Sequence, residues 1–346
     1  MPQRKRVLVT GGSGYIGGWC ALAALEADYD VRATVRDLRK GDALRDQLHS
    51  AATFDDGRLE IVQADLQSDA GWAEAAADVD AVLHVASPTL RTAPESEQAM
   101  IAAARDGVLR VLRASRDAGV RRFVLTSASG AIVYGHPRRS APPFTEEDWT
   151  DVDAPGVAPY QKSKTLAERA AWDFMASEGG GMEFSVVNPT TVIGPQLGAD
   201  DPPSLRVIRA LLSGSMPACP PFGTGWVDVR DVADLHLRAA NDPAAVGERF
   251  LATSGRSLRI VEVARILRER LGDRAAKVPT REIPVWVARL LGTFNPQLRA
   301  LRPQLGFDFP SSGEKAERVL GWRPRPTADA IIGAAEGLLA RGLTVD

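Results

Sequence analysis

The sequence predicts an α/β fold, a doubly wound parallel sheet with helices on both faces and a smaller mixed C-terminal lobe. Three observations carry that expectation. Short β-branched runs alternate with apolar helical stretches up to about residue 194. A glycine cluster, TGGSGYIGG, joins the first run to the first helix. Beyond residue 195 the texture changes, and prolines break the chain into smaller pieces.

Val7 to Thr10 forms the first run, and WCALAALEA continues the helix that follows the glycines. VRATVR (Val31 to Arg36) is the second strand, LEIVQADL the third, DAVLHVAS the fourth and RRFVLTSAS the fifth, with apolar helices between them. MEFSVVNPTTVIGP follows the helix APYQKSKTLAERAAWDF and reads as a sixth. Short buried runs separated by helices are the pattern of a parallel sheet covered on both sides, and a glycine-rich first turn makes it Rossmann-type. The dinucleotide-binding domain is expected over 1–194, with WVDVRDVADLHLRAA returning to the main sheet within 226–254. The substrate lobe is expected over 195–225 and 255–346, with a cleft at the joint.

The 346 residues suffice for a large core, and 45% hydrophobic with 25% charged residues describes an ordinary globular chain. A formal net charge of -2 offers no global attraction to nucleic acid or an anionic membrane. MPQRKRVLVTGG passes straight into a strand without a signal-peptide pattern, and no later stretch resembles a membrane span. The expected setting is cytoplasmic. Cys20 and Cys219 lie far apart and outside any ligand cluster, so reduced thiols and no metal are expected. The four scattered histidines supply no metal motif. The expected partner is a small molecule, and a homodimer is compatible with the chain.

Gly11, Gly14 and Gly17 stand directly between strand and helix. A sharp turn, a close pyrophosphate and a helix lying near the sheet each require a missing side chain. The free amides at the helix start, around Tyr15 and Ile16, then face the phosphate. A carboxylate at the end of the second strand would favour NAD. Arg36 stands there instead, and a guanidinium suits the 2′-phosphate of NADP. NADP is therefore expected, with NAD possible and Arg32 and Arg39 as weaker contributors. Asp65 and Leu66 fall beside the adenine, and Ala86 and Ser87 near the ribose and nicotinamide.

Tyr160 and Lys164 lie four apart, within about 40° on one helical face. Ala167, Ala171 and Phe174 continue that face as an apolar stripe, so packing alone would not select a lysine. A tyrosine needs neighbouring positive charge to act as an acid–base group at neutral pH. Lys164 can supply it and also hold a ribose. LTSASG, at the end of the fifth strand, offers serines to orient a substrate oxygen.

These residues resemble the extended short-chain dehydrogenase/reductase superfamily, most closely dihydroflavonol reductases, cinnamoyl-CoA reductases and related aldehyde and ketone reductases. TGGSGYIG is similar to its cofactor turn and YQKSK to its Tyr-Lys pair. NPTTVIGP resembles its segment beside nicotinamide, which brings in Asn188, Pro189 and Val192. TEEDW and the terminal LGWRPR are also family-like, and the likeness runs from about residue 5 to residue 340. The resemblance implies carbonyl reduction with NADPH, Tyr160 as proton donor and Lys164 as its activator and a ribose ligand. The serine departs from the family's Thr-Ser-Ser run. Thr126, Ser127, Ala128 and Ser129 leave Ser127 as the choice and Ser129 as its rival.

Other candidates carry weaker expectations. His84 is read as packing or hydrogen-bonded structure, and His136 as a residue that could reach the substrate mouth. Asp228 and Asp231 are expected to fix a loop or cap a helix. Phe222 and Trp226 would either close over substrate or pack between lobes. The competing functions are a nucleotide-sugar epimerase or dehydratase retaining NAD, a hydroxysteroid-type dehydrogenase, and a cofactor-sensing regulator.

Overall fold

A computed structural model describes residues 4–88, 96–137, 142–198, 202–294 and 296–342. The first half alternates as expected: β1 (Arg6–Thr10), α1 (Tyr15–Glu26), β2 (Asp30–Val35), α2 (Arg39–Ala51), β3 (Leu59–Gln63), α3 (Trp72–Ala76), β4 (Ala81–His84), α4 (Glu97–Asp117), β5 (Arg122–Thr126), α5 (Pro159–Glu178) and β6 (Glu183–Pro189). The second half comprises β7 (Thr191–Ile193), α6 (Arg206–Ser213), β8 (Gly223–Thr224), β9 (Trp226–Asp228), α7 (Val229–Asn241), β10 (Arg249–Ala252), β11 (Leu258–Arg259), α8 (Ile260–Leu271), α9 (Val285–Leu291), α10 (Pro296–Leu301), α11 (Glu314–Leu320) and α12 (Thr327–Ala340).

Seven parallel strands form the main sheet in the order β10-β6-β5-β4-β1-β2-β3. Buried side chains cover both faces, which is why β1, β4 and β5 read as continuous apolar runs rather than alternating ones. One core joins the sheet to α1, α2 and α7, through residues such as Val9, Leu25, Leu44 and Leu235. The other joins it to α3, α4 and α5, through Leu8, Trp72, Val111 and Phe174. A third, separate core joins α6, α8 and α12 around Trp226, Leu211 and Ile331.

Two local expectations are corrected. MEFSVVNPTTVIGP is two strands, because β6 ends at Pro189 and the chain re-pairs from Thr191 onwards. WVDVRDV does not enter the main sheet. Its strand β9 pairs with β7, in a separate two-stranded ribbon, and Asp228 caps α7 immediately afterwards. The strand that returns to the main sheet is β10, paired with β6.

Candidate active site

The glycine turn has the geometry that a dinucleotide needs. Gly11 sits at φ +69, and a Cβ there would come within 3.0 Å of the Ala86 Cα. A Cβ on Gly17 would lie 2.1 Å from the Gly11 carbonyl oxygen, so any side chain would push α1 off the turn. The turn is fixed by Thr34, whose hydroxyl and carbonyl accept from the amides of Gly11 and Gly12 at 2.9 Å. Gly14 caps α1 without a side chain, and the first-turn amides of a helix have no intrahelical acceptors. The Tyr15 ring is not part of that cradle. Its hydroxyl donates to the Gly194 carbonyl at 2.9 Å, leaving only its backbone for a phosphate.

Arg36 is exposed, one residue past the end of β2. The weaker arginines have other tasks. Arg32 is buried, pairs with Glu60 at 2.8 Å and donates to the carbonyls of Glu74, Ala75 and Ala77, clipping β2 to α3. Arg39 pairs with Asp37 on the surface at 2.6 Å. Asp65 shapes its own turn, accepting from the Gln67 amide, while Leu66 turns inward.

Between the ends of β4 and β5 and the inner face of α5 lies a narrow crevice, walled by Leu66, Ala86 and Ser87 and floored by His84, Ser127 and Lys164. The Ser127 amide is locked to the Val187 carbonyl at 2.8 Å. Its hydroxyl is buried and has no protein partner. An unpaired buried hydroxyl is uncommon in folded proteins and calls for a ligand or a water. Ser129 begins a one-turn helix in which its carbonyl accepts from Ile132 and Val133, and it does not line the crevice.

Lys164 is half-buried. Burial holds its ammonium down to about 8, against the opposing pull of the Glu168 carboxylate one turn along. Burial, and then the Lys164 charge, drive His84 down to about 3, so it faces the crevice neutral. Its Nδ1 meets the Thr10 hydroxyl at 2.9 Å, which makes it a structural partner, as expected.

Tyr160 begins the same helix face. Burial and the neighbouring Tyr134 push its phenol up to about 12. Yet 52% of the residue's surface is open. Water reaching the ring screens part of the effect of burial. The expected lowering by Lys164 is not among the causes acting on this phenol. The arrangement favours neutral tyrosine, the form able to give up a proton.

Behind Lys164 lies a buried network that sequence reasoning missed. Glu168 is 1% exposed and accepts from Arg249 Nε at 2.6 Å and Asn188 Nδ2 at 2.8 Å. Arg249 donates to the carbonyls of Glu146 and Asp148 and lies 3.7 Å over the Trp149 ring. TEEDW is therefore the cage around this arginine. Asn188, expected beside nicotinamide, spends its amide on Glu168 and the Ala128 carbonyl. Pro189 is buried at the end of β6, and Val192 packs in the core. The available signal was Tyr160, Lys164 and Glu168 at four-residue spacing, one charge more than a stripe of small apolar residues explains.

The remaining candidates are structural. Asp228 accepts from Arg230, Asp231 from the Arg325 backbone at 2.6 Å, and His136 bonds the Ile132 carbonyl at 3.0 Å. Trp226 is fully buried, its indole donating to Leu258, and Phe222 belongs to the same core. His49 stacks on Phe54 near the surface. Both cysteines are free and buried. Among the described residues no helix is long and apolar enough to cross a membrane.

Comparison with known proteins gives this geometry a context. Residues 7–252 match the pattern of the NAD dependent epimerase/dehydratase family. The chain is 34% identical to a dihydroflavonol 4-reductase from Zea mays, covering 78% of this chain and 75% of that one. It is 35% identical to a cinnamoyl-CoA reductase from Medicago truncatula, covering 76% and 80%. A crystal structure of Gre2 from Candida albicans in complex with NADPH superposes with a TM-score of 0.78 at 25% identity, over 97% of this chain and 99% of that one.

Proposed function

Because the chain belongs to the NAD dependent epimerase/dehydratase family, with extended short-chain reductases among its relatives, we propose that it is an NADPH-dependent reductase that converts an aldehyde or ketone to an alcohol. The observation that carries this reading is the crevice floor. Lys164 and an unpaired Ser127 hydroxyl share it, directly beyond a glycine turn that admits no side chain. Those residues fit a dinucleotide, with its phosphates on the α1 amides and its ribose at Lys164.

NADPH, when bound, supplies the hydride. The chain's own residues manage the oxygen. The Ser127 hydroxyl donates to the carbonyl oxygen and fixes its direction. Tyr160 gives its proton to the same oxygen as negative charge grows there, which places stabilisation in the transition state. Lys164 binds the ribose hydroxyls and leaves a cationic amine near the reacting centre. Arg36, at the tip of β2, supports NADPH over NADH through contact with the 2′-phosphate. The names of the relatives, dihydroflavonol and cinnamoyl-CoA reductases, favour a bulky aryl carbonyl substrate over a nucleotide sugar.

The test follows NADPH and NADH oxidation in parallel against aldehydes, aryl ketones, ketoesters and one dihydroflavonol. Turnover with at least one carbonyl class, faster with NADPH, is the expected result. No turnover with any of them, together with tightly held NAD in the purified protein, would overturn the reading in favour of an epimerase.

A further inference from the structure

Lys164 is not isolated at the crevice floor. One helical turn further in, Glu168 lines the same crevice, with its carboxylate sealed from solvent. Each of its oxygens is engaged: Oε1 by Arg249 and Oε2 by Asn188. Those partners come from β10 and β6, so two adjacent strands of the main sheet hold a carboxylate that belongs to α5. The guanidinium is itself held by two backbone carbonyls and the Trp149 face. A structural ion pair would need only Arg249. This one also places a negative charge beside an amine that burial disfavours, with geometry too constrained for either partner to swing away.

We propose that Glu168 acts through Lys164: its carboxylate, clamped by Arg249 and Asn188, keeps the Lys164 ammonium charged at the crevice floor. The proposal rests on the reading of Lys164 as the ribose-binding cation.

Other groups share the crevice with the Lys164 amine. From β4, His84 is neutral above pH 4 and contributes no charge in the working range. From β5 comes Ser127, and from α4 the apolar Ala104 and Val108. On α5 itself stand Tyr160, whose phenol is held neutral, and Glu168. From β10, Arg249 lies behind Glu168, with Glu146 behind it. Burial lowers the Lys164 amine and Glu168 opposes that effect. Removing the carboxylate must therefore shift the loss of charge to lower pH, and removing the arginine, which leaves the buried carboxylate without the cation that keeps it ionised, must shift that loss the same way.

Only six lysines are present, so ¹³Cε-lysine NMR resolves Lys164, assigned by its disappearance in Lys164→Met. Its titration midpoint is expected to fall by about one pH unit or more in Glu168→Gln. It should also fall in Arg249→Met and stay at the wild-type value in Arg249→Lys. NADPH binding, followed by fluorescence, should weaken about fivefold at pH 8 in Glu168→Gln and match wild type at pH 6. A midpoint unchanged in both Glu168→Gln and Arg249→Met overturns the proposal, as does an upward shift in Arg249→Met. If Glu168→Gln does not fold, Arg249→Met decides alone. The titration needs no turnover, so a failed carbonyl panel with the expected midpoints would reject the proposed reaction and leave the role of Glu168 standing.

Discussion

The Thr126 hydroxyl lies 2.6 Å from His236 Nε2, which joins the end of β5 to α7 inside the protein. His236 Nδ1 lies 2.7 Å from the Val232 carbonyl. A carbonyl only accepts, so Nδ1 carries the proton, and Nε2 accepts from Thr126. The histidine is thus neutral by construction, and burial lowers it to about 4.

That gives the fold a definite acid sensitivity. His84 and His236 both titrate below their free value of 6.5, so the unfolded chain takes up protons first. Their contribution is complete above pH 6.5 and is lost as the pH falls towards 4, at up to about 1.4 kcal/mol per pH unit for each histidine. Urea denaturation at pH 7 and pH 5 should show the loss, and His236→Gln should lose less than wild type over that interval. Equal acid sensitivity in the two proteins would contradict the assignment.

Tyr160→Phe keeps the ring and removes the proton. Turnover should drop by about 10²- to 10⁴-fold, with NADPH affinity within a few-fold of wild type by fluorescence titration. In the wild-type enzyme the phenol stays protonated well above neutrality, so the reduction rate should not rise between pH 6 and 8. It should decline above about 8, where Lys164 loses its charge. Near-normal turnover in the variant at saturating substrate would remove Tyr160 from the mechanism.

The two serines separate cleanly. Ser127→Ala removes the hydroxyl on the crevice floor and should lower kcat/KM by about 10²-fold. Ser129→Ala changes a residue that does not line the crevice and should stay within a few-fold of wild type. The reverse order would transfer the role to Ser129.

Arg36→Ala tests cofactor choice. Loss of a charge-assisted phosphate contact should raise the KM for NADPH by about tenfold or more, while the KM for NADH changes little. Equal effects on both cofactors would mean that the arginine does not read the 2′-phosphate.

Much of this arrangement was legible in the sequence, for identifiable reasons. The glycine turn and the buried strands are local patterns, and a parallel sheet leaves such runs few alternatives. Lys164 stood out because it interrupts an apolar face. Other features depend on contacts between distant segments. Nothing local in WVDVRDV shows that its strand pairs with Thr191–Ile193, or that the seventh main-sheet strand begins only at Arg249. Asn188 reads as a loop-end ligand until the carboxylate of Glu168 is seen beside it. Arg32 looks like a second phosphate ligand until its guanidinium is found facing three carbonyls under α3.

The position of β10 has a consequence for synthesis. Arg249 leaves the ribosome 81 residues after Glu168, with β7, α6 and β9 made in between. A nascent chain ending before that strand has a bare hydrogen-bonding edge along β6 and a carboxylate with no cation to balance it. The same four residues that close the sheet also neutralise that charge. Completion of the crevice floor is therefore deferred until α6 and β9 have been made, and a chain arrested earlier should present β6 as a docking edge for chaperones or for other unfinished copies.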